Sequence, residues 1–224
     1  MTEPHSPAPQ PSYRMIPSRF PPVGLFETVA SSADMDAVME LAGWTNDRLV
    51  AERIARLPRE EWVFGRANAS IVMAAFLHAS PTGARFSGRD LGAWYASADL
   101  ATGAVEVGHH LRREAAARHV AKLSRIYRAY SARLEGEHVD IRGGQSEMPE
   151  LYLPESYAAS QNFGEARRKA GDIGILYDSI RLKGGINVVA YRPSLILDVT
   201  QADHYEITVE ADVKQIDVRR LAAA

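Results

Sequence analysis

The last quarter of the chain, after Gly171, constrains the fold most. It reads as a succession of short β-runs, Gly174 to Tyr177, Asn187 to Tyr191, Leu195 to Val199 and Tyr205 to Val209, with Gly184-Gly185 as a hairpin turn between the first two. The region before Gly171 reads largely as helix. Asp34 to Leu41, capped by Ser32 or Asp34, and Asn46 to Leu57, closed by Pro58, have helical character. Asn68 to His78 is apolar enough to predict a helix buried on most sides, and Glu155 to Ala170 a helix opened by Pro154 and ended by Gly171. Helices first and strands later predict an α+β fold in a single domain.

Three segments complete that outline. Tyr13 to Pro17 reads as a first strand, stopped by Pro17, Pro21 and Pro22, with Phe20, Leu25 and Phe26 docking the following path onto the core. Ahead of it, residues 1–12 carry Pro4, Pro7, Pro9 and Pro11 and predict a flexible leader. Ala93 to Ala96 reads as a short aromatic strand and Leu100 to Leu111 as a helix that continues to about Lys122, followed by a weaker strand pattern at Ile126, Arg128, Tyr130 and Ala132.

Composition excludes several functions. Cysteine is absent, which removes disulfides, thiolate metal sites and a thiol nucleophile. A formal net charge of -2 provides no global field for a polyanion, so direct nucleic-acid binding is not expected. The local basic run Arg112, Arg113, Arg118, Lys122, Arg125, Arg128 and Arg133, with Glu114 the lone acid among them, reads first as a solvated face and second as a docking surface for an acidic partner. No apolar run nears the roughly 20 residues of a membrane helix, and no signal peptide is read at the N-terminus, so a cytoplasmic protein is expected. Dinucleotide-fold, P-loop, zincin and nucleophile-elbow motifs are all missing. His109 and His110 are adjacent, which on a helix points them apart, and no metal is expected.

Chemistry concentrates in Gly83 to Arg113, which holds Arg85, Tyr95, Glu106 and His110. An arginine can clamp phosphate oxygens, an aromatic can face a planar ring, and a carboxylate can stabilise developing positive charge. That set suits a nucleotide. The same pattern also fits Tyr95 as a core aromatic and Arg85 as a surface ion-pair partner, while Glu106 sits beside the apolar stripe Ala104, Val107 and Leu111.

Read together, three ordered blocks resemble the RES-domain proteins, the toxins of bacterial Xre-RES toxin-antitoxin pairs. They are Tyr13 to Glu27; Arg85-Phe86-Ser87 through Trp94-Tyr95 to Glu106 and His110; and Gly174 to Ser179 followed by Gly184-Gly185. Asn46, the helix Ala69 to His78 and Tyr157 to Gln161 fit as intermediate pieces, so the resemblance spans Tyr13 to about Tyr191 and makes 13–224 the RES domain. Asp178 departs from it, standing where the family often carries proline.

The resemblance implies a fold related to ADP-ribosyltransferases, with central, mainly antiparallel β-sheets flanked by helices, and a reaction on NAD+ that breaks the nicotinamide-ribose bond. Arg85, Tyr95, Glu106 and Ser179 would be the catalytic set. Arg85 would grip the pyrophosphate with Arg14 as helper, Tyr95 would stack, Glu106 would stabilise the ribose cation, Ser179 would hydrogen-bond the nicotinamide or ribose edge, and His110 would position the acceptor. It implies NAD depletion by hydrolysis or phosphorolysis, or alternatively ADP-ribosyl transfer to a protein target. An antitoxin of the Xre family, whose C-terminal domain covers the site, would be the partner. The rival from another class is a non-catalytic module that binds a nucleotide or an acidic partner.

Overall fold

A computed structural model describes residues 3–19, 24, 26–31, 34 and 52–222. Of the expected helix Asp34 to Leu41 all but Asp34 lies outside the described residues, as do residues 46–51 of the expected helix Asn46 to Leu57, and Phe20 and Leu25. Phe26 is buried in the core, as expected.

The strands are β1 (His5–Pro7), β2 (Ser12–Pro17), β3 (Trp94–Ser97), β4 (Lys122–Leu134), β5 (Glu137–Asp140), β6 (Gly174–Asp178), β7 (Ile186–Ala190), β8 (Ile196–Glu210) and β9 (Ile216–Leu221). They form one sheet in the order β1-β5-β6-β7-β3-β2-β4-β8-β9. Every pairing is antiparallel except β5 with β6. Among the described residues, the helices α1 (Ala69–Leu77), α2 (Leu100–Ala117) and α3 (Ala158–Ala170) flank the sheet. The fold is therefore the α+β architecture expected, with a central, mainly antiparallel sheet. Among the described residues, no helix is long and apolar enough to cross a membrane.

Strand alternation assigns the faces. Trp94, Ala96, Leu176, Val188 and Tyr130 pack with Phe76, Met73 and Leu77 of α1 on one side. Tyr95, Ile175, Tyr177 and Val189 turn to the other, where Phe163 and Ala159 of α3 cover them. Further along that second face, Ala104 and Leu111 of α2 meet Met15, Tyr127, Ile207 and Val209. The space between α2 and α3, over β6, β7, β3 and β2, is where the site forms.

Local chemistry sets each helix. Asp99 caps α2, its carboxylate accepting from the Thr102 backbone N–H at 2.7 Å. Gly171 ends α3 in the left-handed region at φ 98°, with Asp172 N–H returning to the Arg167 carbonyl. Gly164 lets α3 lie directly on the Arg85-Phe86-Ser87 turn, because a Cβ there would collide with the Phe86 carbonyl oxygen.

The structure corrects four expectations. The leader is not free: His5–Pro7 pairs with Glu137–Val139, and Ala8 is buried in the core. An edge strand tolerates proline because one side of its ladder needs no N–H. Second, Leu195 to Val199 and Tyr205 to Val209 belong to one long strand, β8, whose pairing with β4 shifts register twice. Those irregularities break the alternation that would have joined them. Third, α3 starts at Ala158, not Glu155, and the segment leading into it is held by the Arg85 guanidinium, which binds the Leu151 and Leu153 carbonyls, each at 3.0 Å. Fourth, the basic run is largely paired. Arg125 and Arg118 bind Glu114, Arg133 binds Asp198, Lys122 approaches Glu210, and Arg112 donates to the Lys214 carbonyl. Asp198 and Glu210 come from β8, far away in sequence.

Candidate active site

A cleft of about 440 Å³ opens between α2 and α3. Helix α2 contributes Gly103, Glu106, Val107, His110 and Arg113, which recur at helical spacing and so share one face. Strands β2 and β3 supply Arg14 and Tyr95; Arg85, Tyr157, Tyr177, Arg181 and Asn187 complete the set used below. Among the described residues, Glu106 is the only carboxylate lining this cleft, against the guanidinium groups of Arg14, Arg85, Arg113 and Arg181.

Glu106 is held at both oxygens. Its Oε1 accepts from the Ser179 hydroxyl at 2.7 Å and from the Asn187 amide at 2.9 Å. Its Oε2 accepts from Arg181 at 2.8 Å. Asn187 is fixed in turn, since its Oδ1 accepts from the Ser97 hydroxyl at 2.7 Å, which orients the amide so that nitrogen faces Glu106. Both Asn187 and Ser97 are buried. A carboxylate with three donors is locked in orientation.

Ser179 stands behind Glu106 and is not among the residues lining the cleft. A hydroxyl has one hydrogen and two lone pairs. Here the hydrogen goes to Glu106, and the oxygen accepts from the Arg181 and Leu182 backbone N–H groups, both at 3.1 Å. Its capacity is used within the protein, so it acts through Glu106 and has no hydrogen bond left for a substrate edge. The preceding Asp178 faces elsewhere: its carboxylate accepts from the Gly143 N–H at 2.7 Å and pins that turn.

Arg85 and Tyr95 organise the opposite wall. Besides tethering Leu151 and Leu153, the Arg85 guanidinium lies 4.6 Å from the centre of the Tyr157 ring, and its Nη2 is buried without a hydrogen-bond partner. The Tyr95 hydroxyl accepts from the Phe86 N–H at 2.9 Å and pairs with the Ser87 hydroxyl at 3.0 Å. Burial pushes the Tyr95 phenol up to about 12 and raises that of Tyr177 well above its ordinary value, so both rings stay neutral. Arg14 donates to the Tyr95 carbonyl at 3.0 Å and lies 5.0 Å from the Trp94 ring centre. Burial lowers it to about 10, which leaves it protonated at neutral pH.

One turn beyond Glu106, burial lowers the His110 pKa, and the Arg181 charge lowers it further. His109 is pushed down to about 4, by desolvation first and Arg181 second. Both imidazoles are therefore neutral at pH 7.

The structure thus brings Arg14, Arg85, Tyr95, Glu106 and His110 to one cleft and places Ser179 directly behind its carboxylate. Sequence reasoning missed Arg181, Asn187, Ser97 and Tyr157. Asn187 carried a signal, a polar side chain within the apolar run Ile186 to Ala190, where asparagine is disfavoured.

Comparison with known proteins now assigns the family. The RES domain matches residues 50–210, a range that holds every site residue above except Arg14, and the chain belongs to the RES-domain family. An uncharacterized protein, y4oC, from Sinorhizobium fredii is 37% identical over 82 residues, covering 33% of this chain and 32% of that protein. The match thus spans about a third of that relative's length. Among solved structures, the M. tuberculosis MbcT-MbcA toxin-antitoxin complex aligns with a TM-score of 0.40 and 14% identity, over 55% of this chain and 73% of that one.

Proposed function

We propose that this protein is the toxin of a toxin-antitoxin pair and that it cleaves the nicotinamide-ribose bond of NAD+, depleting the cell of NAD. The observation that carries the reading is the triply anchored carboxylate of Glu106 in a cleft that also presents the guanidinium groups of Arg14, Arg85, Arg113 and Arg181. Arginines suit a diphosphate. Buried N–H groups of Arg14 and Arg85 that lack partners within the protein could be satisfied by its oxygens.

One carboxylate is enough for this chemistry. The C–N bond breaks with its electron pair moving to the nicotinamide nitrogen, so the leaving group departs neutral and needs no acid. The positive charge moves to the ribose, where Glu106 stabilises it. Water then adds through oxygen and loses a proton, and the neutral His110, on the same helix face, offers a lone pair to orient it. Phosphate can replace water in the same step. The neutral rings of Tyr95 and Tyr177 shape the pocket for a flat leaving group. RES-domain membership supports the toxin role, with an Xre-family antitoxin that covers the cleft as partner.

The test is nicotinamide release from NAD+ by purified protein in phosphate-free buffer, in buffer with phosphate, and with cell lysate. Release in the first condition identifies hydrolysis, and release only in the second identifies phosphorolysis. Release only with lysate, accompanied by labelled protein, would move the reading to ADP-ribosyl transfer. No release in any condition would overturn it in favour of a binding module.

A further inference from the structure

Glu106 is gripped by two separate arms. Ser179 and Asn187 both reach Oε1, whereas Arg181 alone reaches Oε2. A carboxylate oxygen accommodates about two hydrogen bonds, so Oε1 is filled and Oε2 keeps one lone pair for an incoming hydroxyl. The placement of Arg181 therefore decides where substrate can bond to the carboxylate. Arg181 is a long side chain, and its side chain is only 10% exposed. One guanidinium nitrogen donates to Glu106, the other donates to the Tyr157 hydroxyl at 3.1 Å, and its Nε has no partner.

Tyr157 immediately precedes α3 and has its ring against the Arg85 guanidinium. Arg85 in turn holds the Leu151 and Leu153 carbonyls. A continuous chain of contacts thus runs from the 151–153 backbone through Arg85, Tyr157 and Arg181 to Glu106. The ring is fixed by Arg85 and the hydroxyl is spent on Arg181.

We propose that Tyr157 is a positioning residue for the reaction above: its hydroxyl steers Arg181 onto Oε2 of Glu106, leaving the remaining lone pair of that oxygen for a ribose hydroxyl. The proposal rests on the NAD+ reading for its substrate, but its geometric core, control of Glu106 by Tyr157 through Arg181, does not.

Tyr157→Phe is the discriminating change, because it removes one oxygen and keeps the ring on Arg85. Two readouts separate the proposal from the reading it rests on. In protein labelled with ¹³C at the glutamate side-chain carboxyls, the Glu106 resonance, assigned through Glu106→Gln, should shift in Tyr157→Phe while the melting temperature stays put. In NAD+ turnover, kcat should fall about tenfold, as expected for losing a charge-assisted hydrogen bond in the supporting shell, with KM for NAD+ within about twofold. An unmoved Glu106 resonance overturns the proposal whatever the turnover, and so does an unchanged kcat where the wild type turns over NAD+. A shifted resonance in a protein whose wild type never releases nicotinamide would support the positioning role and overturn only the NAD+ reading.

Discussion

Replacing Ser179 with alanine removes one oxygen and undoes three hydrogen bonds: the donation to Glu106 at 2.7 Å and the acceptances from Arg181 N–H and Leu182 N–H at 3.1 Å. Ser179 is only 6% exposed, so water does not readily take its place. Each of the two backbone N–H groups left without its acceptor costs about 1 kcal/mol, and the bond to the carboxylate contributes about 1.5 kcal/mol, giving about 3.5 kcal/mol in all. In a domain of this size, 1 kcal/mol moves the melting temperature by about 2–4 °C, so the expected drop is roughly 7–14 °C. Catalysis should fall without vanishing. Glu106 retains Asn187 and Arg181, and a decrease in kcat of about 10- to 100-fold corresponds to a loosened carboxylate. Scanning calorimetry reads the first quantity and nicotinamide release the second. An unchanged melting temperature would refute the assigned hydrogen bonds. Complete loss of turnover, with a ribosyl adduct trapped on Ser179 in the wild type, would make it a nucleophile and refute its supporting role.

Other expectations follow from the same geometry. Gly164→Ala should destabilise the protein by at least about 2 kcal/mol in urea titration, because the added methyl meets the Phe86 carbonyl and the Tyr191 hydroxyl; a neutral result would mean that α3 packs differently. Burial pushes His138, only 1% exposed, down to about 4 from 6.5, so below pH 6.5 the unfolded chain takes a proton that the folded one refuses. Its contribution, at most about 3 kcal/mol, is present above pH 6.5 and lost as pH falls toward 4; His138→Phe should flatten that slope, and an unaltered slope would exclude His138 as its source. Glu114 lies at about 2, principally through hydrogen bonds from Arg125, so its share of stability is present above pH 4.5 and lost on acidification toward 2. At a partly exposed pair that share is about 1 kcal/mol, and Arg125→Ala should remove it at pH 7 but not at pH 2.

How far the sequence foretold this molecule depends on whether local or distant residues decide an element. Helices α1 and α2 were legible because their apolar runs are local. Strand β5 has only four residues and its parallel partner β6 follows an intervening helix, while β9 is mostly exposed and lacks a buried alternating face. Neither carries a local signal strong enough to declare it. The leader lacked one for a different reason: its prolines read as disorder until an edge position excuses the missing donors. At the site, residue types pointed to Arg85, Tyr95 and Glu106, but the division of labour among them did not follow from type. Arg85 spends two hydrogen bonds on backbone carbonyls, and Arg181 takes the place beside the carboxylate. Such roles depend on the crossing of α2 with the β6–β7 turn, which no local spacing encodes.

The role of Glu106 is tested most directly by measuring NAD+ binding and nicotinamide release side by side for the wild type and Glu106→Gln. Glutamine keeps the shape while removing the charge that would stabilise the ribose cation. Binding by calorimetry should stay within a few-fold of wild type, and nicotinamide release should fall by at least about 100-fold. Equal release by the two proteins would contradict the assignment of Glu106 as the catalytic carboxylate.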